Sequence, residues 1–154
     1  MMETMAIPPF ERFYAEHRDE VYGLLVRRLG RQRAEDAFQE TFLRALRAYP
    51  ALRNADHLRA WVLTIARNVG IDAFRRERPE VELEVPVELP SRPAYAELEH
   101  LTDDLPPTER AAVVLRYAYD LPYAAIGAAL GSSEDAARQA ASAGVRRLRR
   151  RETR

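Results

Sequence analysis

Between Ala34 and Arg78 the apolar positions fall into two helical rhythms set back to back. In AEDAFQETFLRALRAYP, Phe38, Phe42, Ala45, Leu46 and Tyr49 recur at i, i+4, i+7, i+8 and i+11, the spacing of one buried stripe on a 3.6-residue period. Pro50 ends this helix. Off the stripe stand Glu35, Asp36, Gln39 and Glu40, the last three neighbours one turn apart. In HLRAWVLTIARNVGIDAFRRERP the stripe is Leu58, Trp61, Val62, Ile65, Val69 and Ala73, with Asn54 or Asp56 as N-cap and Pro79 as stop. Its other side carries Arg59, Arg67, Asn68, Arg75 and Arg76. The pattern predicts an acidic face on the first helix, a basic, amide-bearing face on the second, and Trp61 in the core.

Downstream the rhythm stops. Pro79 to Pro93 holds four glutamates and four prolines. Its Glu/Val alternation would suit a strand, but Pro86 and Pro90 would cut the ladder, so the segment reads as an extended linker. Helical patterning resumes over Ala94 to Leu105, again from Leu105 through Tyr117 with proline in the first turn, and over Leu121 to Leu130. A break at Gly131 and Ser132 precedes a last helix from about Ser133 to Arg150, with Ser132 and Asp135 as a capping-box signal. A helix, a short glycine-containing turn and a second helix ending in arginines is the helix-turn-helix arrangement, although an ordinary helical hairpin has the same pattern. The fold class expected is all-α: two small helical domains, 8–79 and 94–151, joined by an acidic linker at 80–93.

Composition adds exclusions. With 154 residues, 47% hydrophobic and 31% charged, the chain is ordinary for a globular protein. No cysteine is present, and His17, His57 and His100 are scattered, so neither a disulfide nor a metal site is expected, nor any cofactor. No apolar run is long enough for a bilayer and no leader is visible, which predicts a cytoplasmic location. All 24 basic residues are arginine, better explained by coding bias than by function. The zero net charge is unevenly spread. Residues 10–78 carry +4, 79–100 carry −5, 101–131 carry −2 and 132–154 carry +4. Two basic ends flank an acidic middle, which permits a nucleic-acid partner.

The order AED..QETF.RA, then LRAW...IARN..ID..RR, then a helix-turn-helix resembles the small two-domain sigma factors of bacterial RNA polymerase, the extracytoplasmic-function class, over roughly Phe10 to Arg151. The resemblance implies that Asp36, Gln39, Glu40 and Arg44 dock on core RNA polymerase; a merely solvated helix face is the simpler reading of the same charges. It implies that the loop with Leu52 and Arg53 captures a base flipped from the −10 element of promoter DNA, with Asn68 bonding a base edge and Arg67, Asp72, Arg75 and Arg76 at the separated strands. Family members commonly carry an aromatic where this chain has Leu52. In the last helix Ser133, Arg138, Gln139, Ser142, Arg146 and Arg147 correspond to −35 contacts. Alanines stand at Ala140 and Ala143 where the family carries basic residues, and Gly144 inside the helix costs about 1 kcal/mol relative to alanine.

The expected function is therefore a transcription initiation factor, with no catalytic activity of its own, that binds core RNA polymerase, directs it to promoters and helps melt the −10 element. An anti-sigma factor is an implied partner. Two alternatives remain at this level: a stand-alone helix-turn-helix regulator, and a sigma-like decoy that binds polymerase or an anti-sigma factor without initiating. An enzyme is disfavoured, because no nucleophile, carboxylate pair or metal cluster is visible.

Overall fold

A computed structural model describes residues 6–77, 102 and 104–152. The described residues are helical, with no strand among them: α1 (Phe10–Leu29), α2 (Arg31–Ala48), a 3-10 turn (Tyr49–Ala51), α3 (Leu58–Glu77), α4 (Pro107–Tyr117), α5 (Tyr123–Leu130) and α6 (Glu134–Glu152). They divide into two compact units, Met1–Leu89 and Pro90–Arg154. The expected linker at 80–93, and the expected helix over Ala94 to Leu105 except for its last residues, lie outside the described residues.

In the first unit three helices pack pairwise against one another. Helix α1 lies outside both sequence patterns, yet it supplies Phe13, His17, Val21, Leu25 and Leu29 to the core at successive i+4 positions. Trp61 and Phe13 are fully buried with ring centroids 5.8 Å apart, and Tyr49 and Phe42 close on Phe13 at 5.2 and 6.2 Å. Trp61 is thus core, as its place on the stripe predicts. Burial depresses the pKa of His17 against the opposing pull of Glu16 and Glu20. Glu20 chelates Arg59 Nε through both oxygens at 2.8 Å, tying α1 to α3. That hydrogen bond holds the Glu20 carboxyl below the usual range.

Three details differ from the sequence pattern. Leu46 is not on the buried stripe: it is 49% exposed, beside Leu43 at 48%. The buried set of α2 is Ala34, Ala37, Thr41, Phe42, Arg44, Ala45 and Ala48, because α1 and α3 cover two different sides of the helix and leave Leu46 between neither. For the same reason α3 has no broad polar face. From Ala60 to Ile71 only Arg67 escapes full burial, and Thr64 donates to the Ala60 carbonyl at 2.8 Å. Finally, neither Asn54 nor Asp56 caps α3. Asn54 Oδ1 accepts the Asp56 N–H at 3.0 Å in a turn before the helix, and the His57 carbonyl accepts the Trp61 N–H, with His57 at φ 64°.

In the second unit α4 and α5 both pack on α6. Pro107 opens α4 at N1, where a missing N–H costs nothing. The turn between α5 and α6 folds back so tightly that a Cβ on Gly127 would lie 2.8 Å from the Ser132 carbonyl oxygen. The cap of α6 is Ser133, not Ser132: its Oγ accepts the Ala136 N–H at 3.0 Å. Gly144 has a packing reason. A Cβ there would stand 2.6 Å from Val113 Cγ2 and 3.3 Å from the Glu109 carbonyl, so α6 crosses α4 at a distance only glycine permits.

Gly144→Ala should therefore destabilise the second unit by about 1 to 3 kcal/mol through overpacking, outweighing the roughly 1 kcal/mol that alanine gains in helix propensity. Thermal or urea unfolding measures it, and Val113→Ala in the same chain should recover part of the loss. A stabilised Gly144→Ala would refute the close crossing.

Candidate functional site

On α2, Asp36 and Gln39 are exposed and Glu40 is partly so, on the side that also presents Leu43 and Leu46. Arg44 is different. It is 6% exposed, and its Nε donates to Glu40 Oε1 at 2.9 Å while Nη1 reaches Asp72 Oδ2 of α3 at 3.4 Å. Around this pair opens a groove of about 790 Å³ lined by Gln32, Arg33, Asp36, Glu40 and Arg44 from α2 and by Asp72, Arg75 and Arg76 from α3. Residues that the resemblance gives to polymerase and to DNA thus share one cleft. Gln32 and Arg33 lie outside the sequence-predicted set; Arg33 stands three residues before Asp36 and seven before Glu40, which places it on their face.

At the N-terminal approach to α3, Leu52 is 9% exposed, whereas its neighbour Arg53 is exposed. Leu52 therefore offers little surface in this loop, and Arg53 is the outward side chain beside it. Asn68 is buried at 4%, and Arg67 beside it is half-buried. Arg75 and Arg76 are exposed, with Arg76 Nε 3.4 Å from the Asp72 carbonyl. Arg59, on the basic side in sequence, is committed to Glu20.

On α6 the −35 set separates into two groups. Ser133 is spent as the cap. Arg138 bonds Asp135 at 2.9 Å and Glu134 at 3.3 Å, and its guanidinium lies 5.2 Å from the centroid of the Tyr123 ring, which also carries Arg116 at 4.5 Å. Arg147 turns back to Glu109 at 2.9 Å, and Arg151 to Asp104 at 3.2 Å. Gln139, Ser142 and Arg146 are exposed at i, i+3 and i+7, one line along the helix. Ion pairing of this kind leaves no trace in sequence spacing when the partners lie on different helices.

Known proteins now supply the family. The description Sigma-70 region 2 matches residues 13–80, and Sigma-70, region 4 matches residues 95–148. The RNA polymerase sigma factor CarQ of Myxococcus xanthus is 34% identical over 91% of this chain and 87% of its own length. The chain belongs to the extracytoplasmic-function sigma factors. Among other sigma factors of this class, SigE of Mycolicibacterium smegmatis is 34% identical over 96% of this chain, and EcfG of Rhodopseudomonas palustris is 32% identical over 71% of this chain and 68% of its own length. The chain spans 63% of the length of SigE. Of solved structures, the sigma factor RpoE in complex with the anti-sigma factor NepR from Bartonella quintana aligns with 92% of this chain and 94% of its own, at 20% identity and a TM-score of 0.44. In this sigma factor the region 2 match contains α2, α3 and the groove between them, and the region 4 match contains α4, α5 and most of α6.

The acids at the start of α6 have a measurable consequence. Glu134 and Asp135 hold the guanidinium of Arg138 at 3.3 and 2.9 Å, and all three side chains are exposed. Glu134→Gln with Asp135→Asn, which frees one arginine, should raise affinity for duplex DNA several-fold and steepen its salt dependence by about one phosphate's worth of slope. Fluorescence anisotropy across a salt series reads both, and unchanged affinity would mean that α6 does not approach the backbone there.

Proposed function

We propose that this chain is a transcription initiation factor, acting in the cytoplasm without a reaction of its own, that binds core RNA polymerase, brings it to promoters and helps open the −10 element. The observation that carries this reading is the pair of sigma-70 regions matched in order, 13–80 and 95–148. Domain limits of 8–79 for the first part, 80–93 for the linker and 94–151 for the second belong to the same proposal.

Polymerase docking is assigned to the outward side of α2, with Asp36, Gln39 and Glu40 as direct contacts. Their exposure supports it, and the exposed Leu43 and Leu46 alongside give that surface an apolar centre of the kind protein interfaces use. Promoter melting is assigned to the Leu52 and Arg53 loop, Arg67, Asn68, Asp72, Arg75 and Arg76. Exposed arginines at 53, 75 and 76 support strand binding. In the second unit, Gln139, Ser142 and Arg146 are the groups offered to the −35 element, with Arg138 available only if it leaves its acids. An anti-sigma factor is proposed as a further partner.

The test mixes the chain with core polymerase, follows co-migration, and sequences the transcripts made from a pool of genomic fragments. Defined start sites that depend on the chain are expected. Absence of polymerase binding would sink the proposal, and binding without start sites would favour the decoy. Asp36→Lys with Glu40→Lys should weaken polymerase binding at least about tenfold, equivalent to 1.4 kcal/mol. Asn68→Ala should spare binding and reduce opening; the reverse pattern would overturn the division of roles.

A further inference from the structure

Arg44 is badly placed for a docking contact. Its side chain is 8% exposed, whereas those of its partners Glu40 and Asp72 are 39% and 35% exposed. Polymerase or DNA could therefore touch either acid far more readily than the arginine between them.

We propose that Arg44 is a positioning residue that couples polymerase docking on α2 to DNA engagement on α3. The inference rests on the function proposed above, in which Glu40 meets polymerase and Arg75 and Arg76 meet DNA. A guanidinium presents five donors in a rigid fork, so one arginine can serve two carboxylates on two helices, which a lysine ammonium cannot do with the same geometry. Its two bonds are unequal. The 2.9 Å contact to Glu40 is a full charge-assisted hydrogen bond, and the 3.4 Å contact to Asp72 is a long one.

Burial gives the inequality its consequence. A guanidinium this far from water must keep a carboxylate, because leaving it unpaired is strongly unfavourable. A cation that polymerase brings to Glu40 draws that carboxylate away, and Arg44 then closes on Asp72. Asp72 sits three and four residues before Arg75 and Arg76, and its carbonyl already receives Arg76 Nε. Tightening the Arg44 to Asp72 bond therefore fixes the last turns of α3 against α2 and orders the two arginines along the groove they line. The two sites share one cation, so occupancy of either changes the other, and by linkage the coupling runs equally in both directions.

The experiment uses the full chain, core polymerase and the strongest start site recovered from the genomic pool. Two quantities are measured: affinity for core polymerase, and the fraction of promoter opened once every chain is polymerase-bound, read by permanganate reactivity. With Arg44→Gln, opening at saturating polymerase should fall tenfold or more. Asp72→Asn should show the same loss, and the double variant no further loss. Arg44→Lys, which keeps the charge but reaches one carboxylate at a time, should be intermediate. Near-ultraviolet circular dichroism reports whether each variant is folded; should Arg44→Gln fail to fold, Arg44→Lys and Asp72→Asn carry the same comparison. Variants that lose thermal stability or polymerase affinity yet open the promoter normally at saturation would overturn the coupling, as would losses that multiply in the double variant. A wild-type chain that does not bind polymerase would instead fail the function proposed above and take this inference with it.

Discussion

Trp61 and Phe13 are both without solvent exposure, and the helix that carries Trp61 is buried on nearly every side from Ala60 to Ile71. Truncating a buried aromatic of this kind costs about 3 to 5 kcal/mol, a large share of the stability of a small domain. Covering α3 so completely requires both α1 and α2, which is why three helices meet around one aromatic cluster. It also confines the polar chemistry of α3 to its ends. The approach loop with Arg53 stands at one end and Arg75 and Arg76 at the other, while Asn68 lies inside.

The helices themselves were legible because a 3.6-residue apolar period is a strong local signal. Their faces were less so. A single stripe presumes a single neighbour, but α2 has two, and Leu46 lies about 100° around the helix from Ala45, outside both contacts. Helix α1 carried a readable signal as well: its buried positions 13, 17, 21, 25 and 29 step by four, interrupted only by the polar His17. The cap of α3 was beyond sequence reasoning, since it depends on His57 adopting a left-handed conformation that its residue type does not demand.

Charge was legible in number and not in use. Five arginines are held by acids: Arg44 by Glu40 and Asp72, Arg59 by Glu20, Arg138 by Glu134 and Asp135, Arg147 by Glu109 and Arg151 by Asp104. The exposed pairs among them add little stability, about 0 to 1 kcal/mol each, whereas the Arg44 side chain is only 8% exposed and its pairing is not of that kind. Their larger effect is electrostatic, because an arginine already facing a carboxylate is a poorer ligand for phosphate. The +4 of residues 10–78 already counts Glu20, Glu40 and Asp72, but the +4 of 132–154 leaves out Glu109 and Asp104, so that number overstates the field that the basic end of the second unit offers to nucleic acid.

The thinness of α6 has a structural side that composition alone hides. Ala137, Ala141 and Gly144 fall at i, i+4 and i+7, the two alanines are 1% exposed, and the glycine touches Val113. Small residues along that line suit the close packing of α4 and α5 on this helix. Ala140 and Ala143 flank this seam and are themselves half-buried, so an arginine at either would have to run its stem along the packed surface to bring its charge to water. Outward along one line are Gln139, Ser142 and Arg146, two neutral hydrogen-bonding groups and one cation, with the exposed Arg149 and Arg150 following in the last turns. Such a face suits base edges better than backbone, since amides and hydroxyls discriminate donors from acceptors but gain little from phosphate charge. Close packing in this unit thus leaves α6 a line of neutral hydrogen-bonding groups in its middle turns and gathers its exposed cations toward the C-terminal turns.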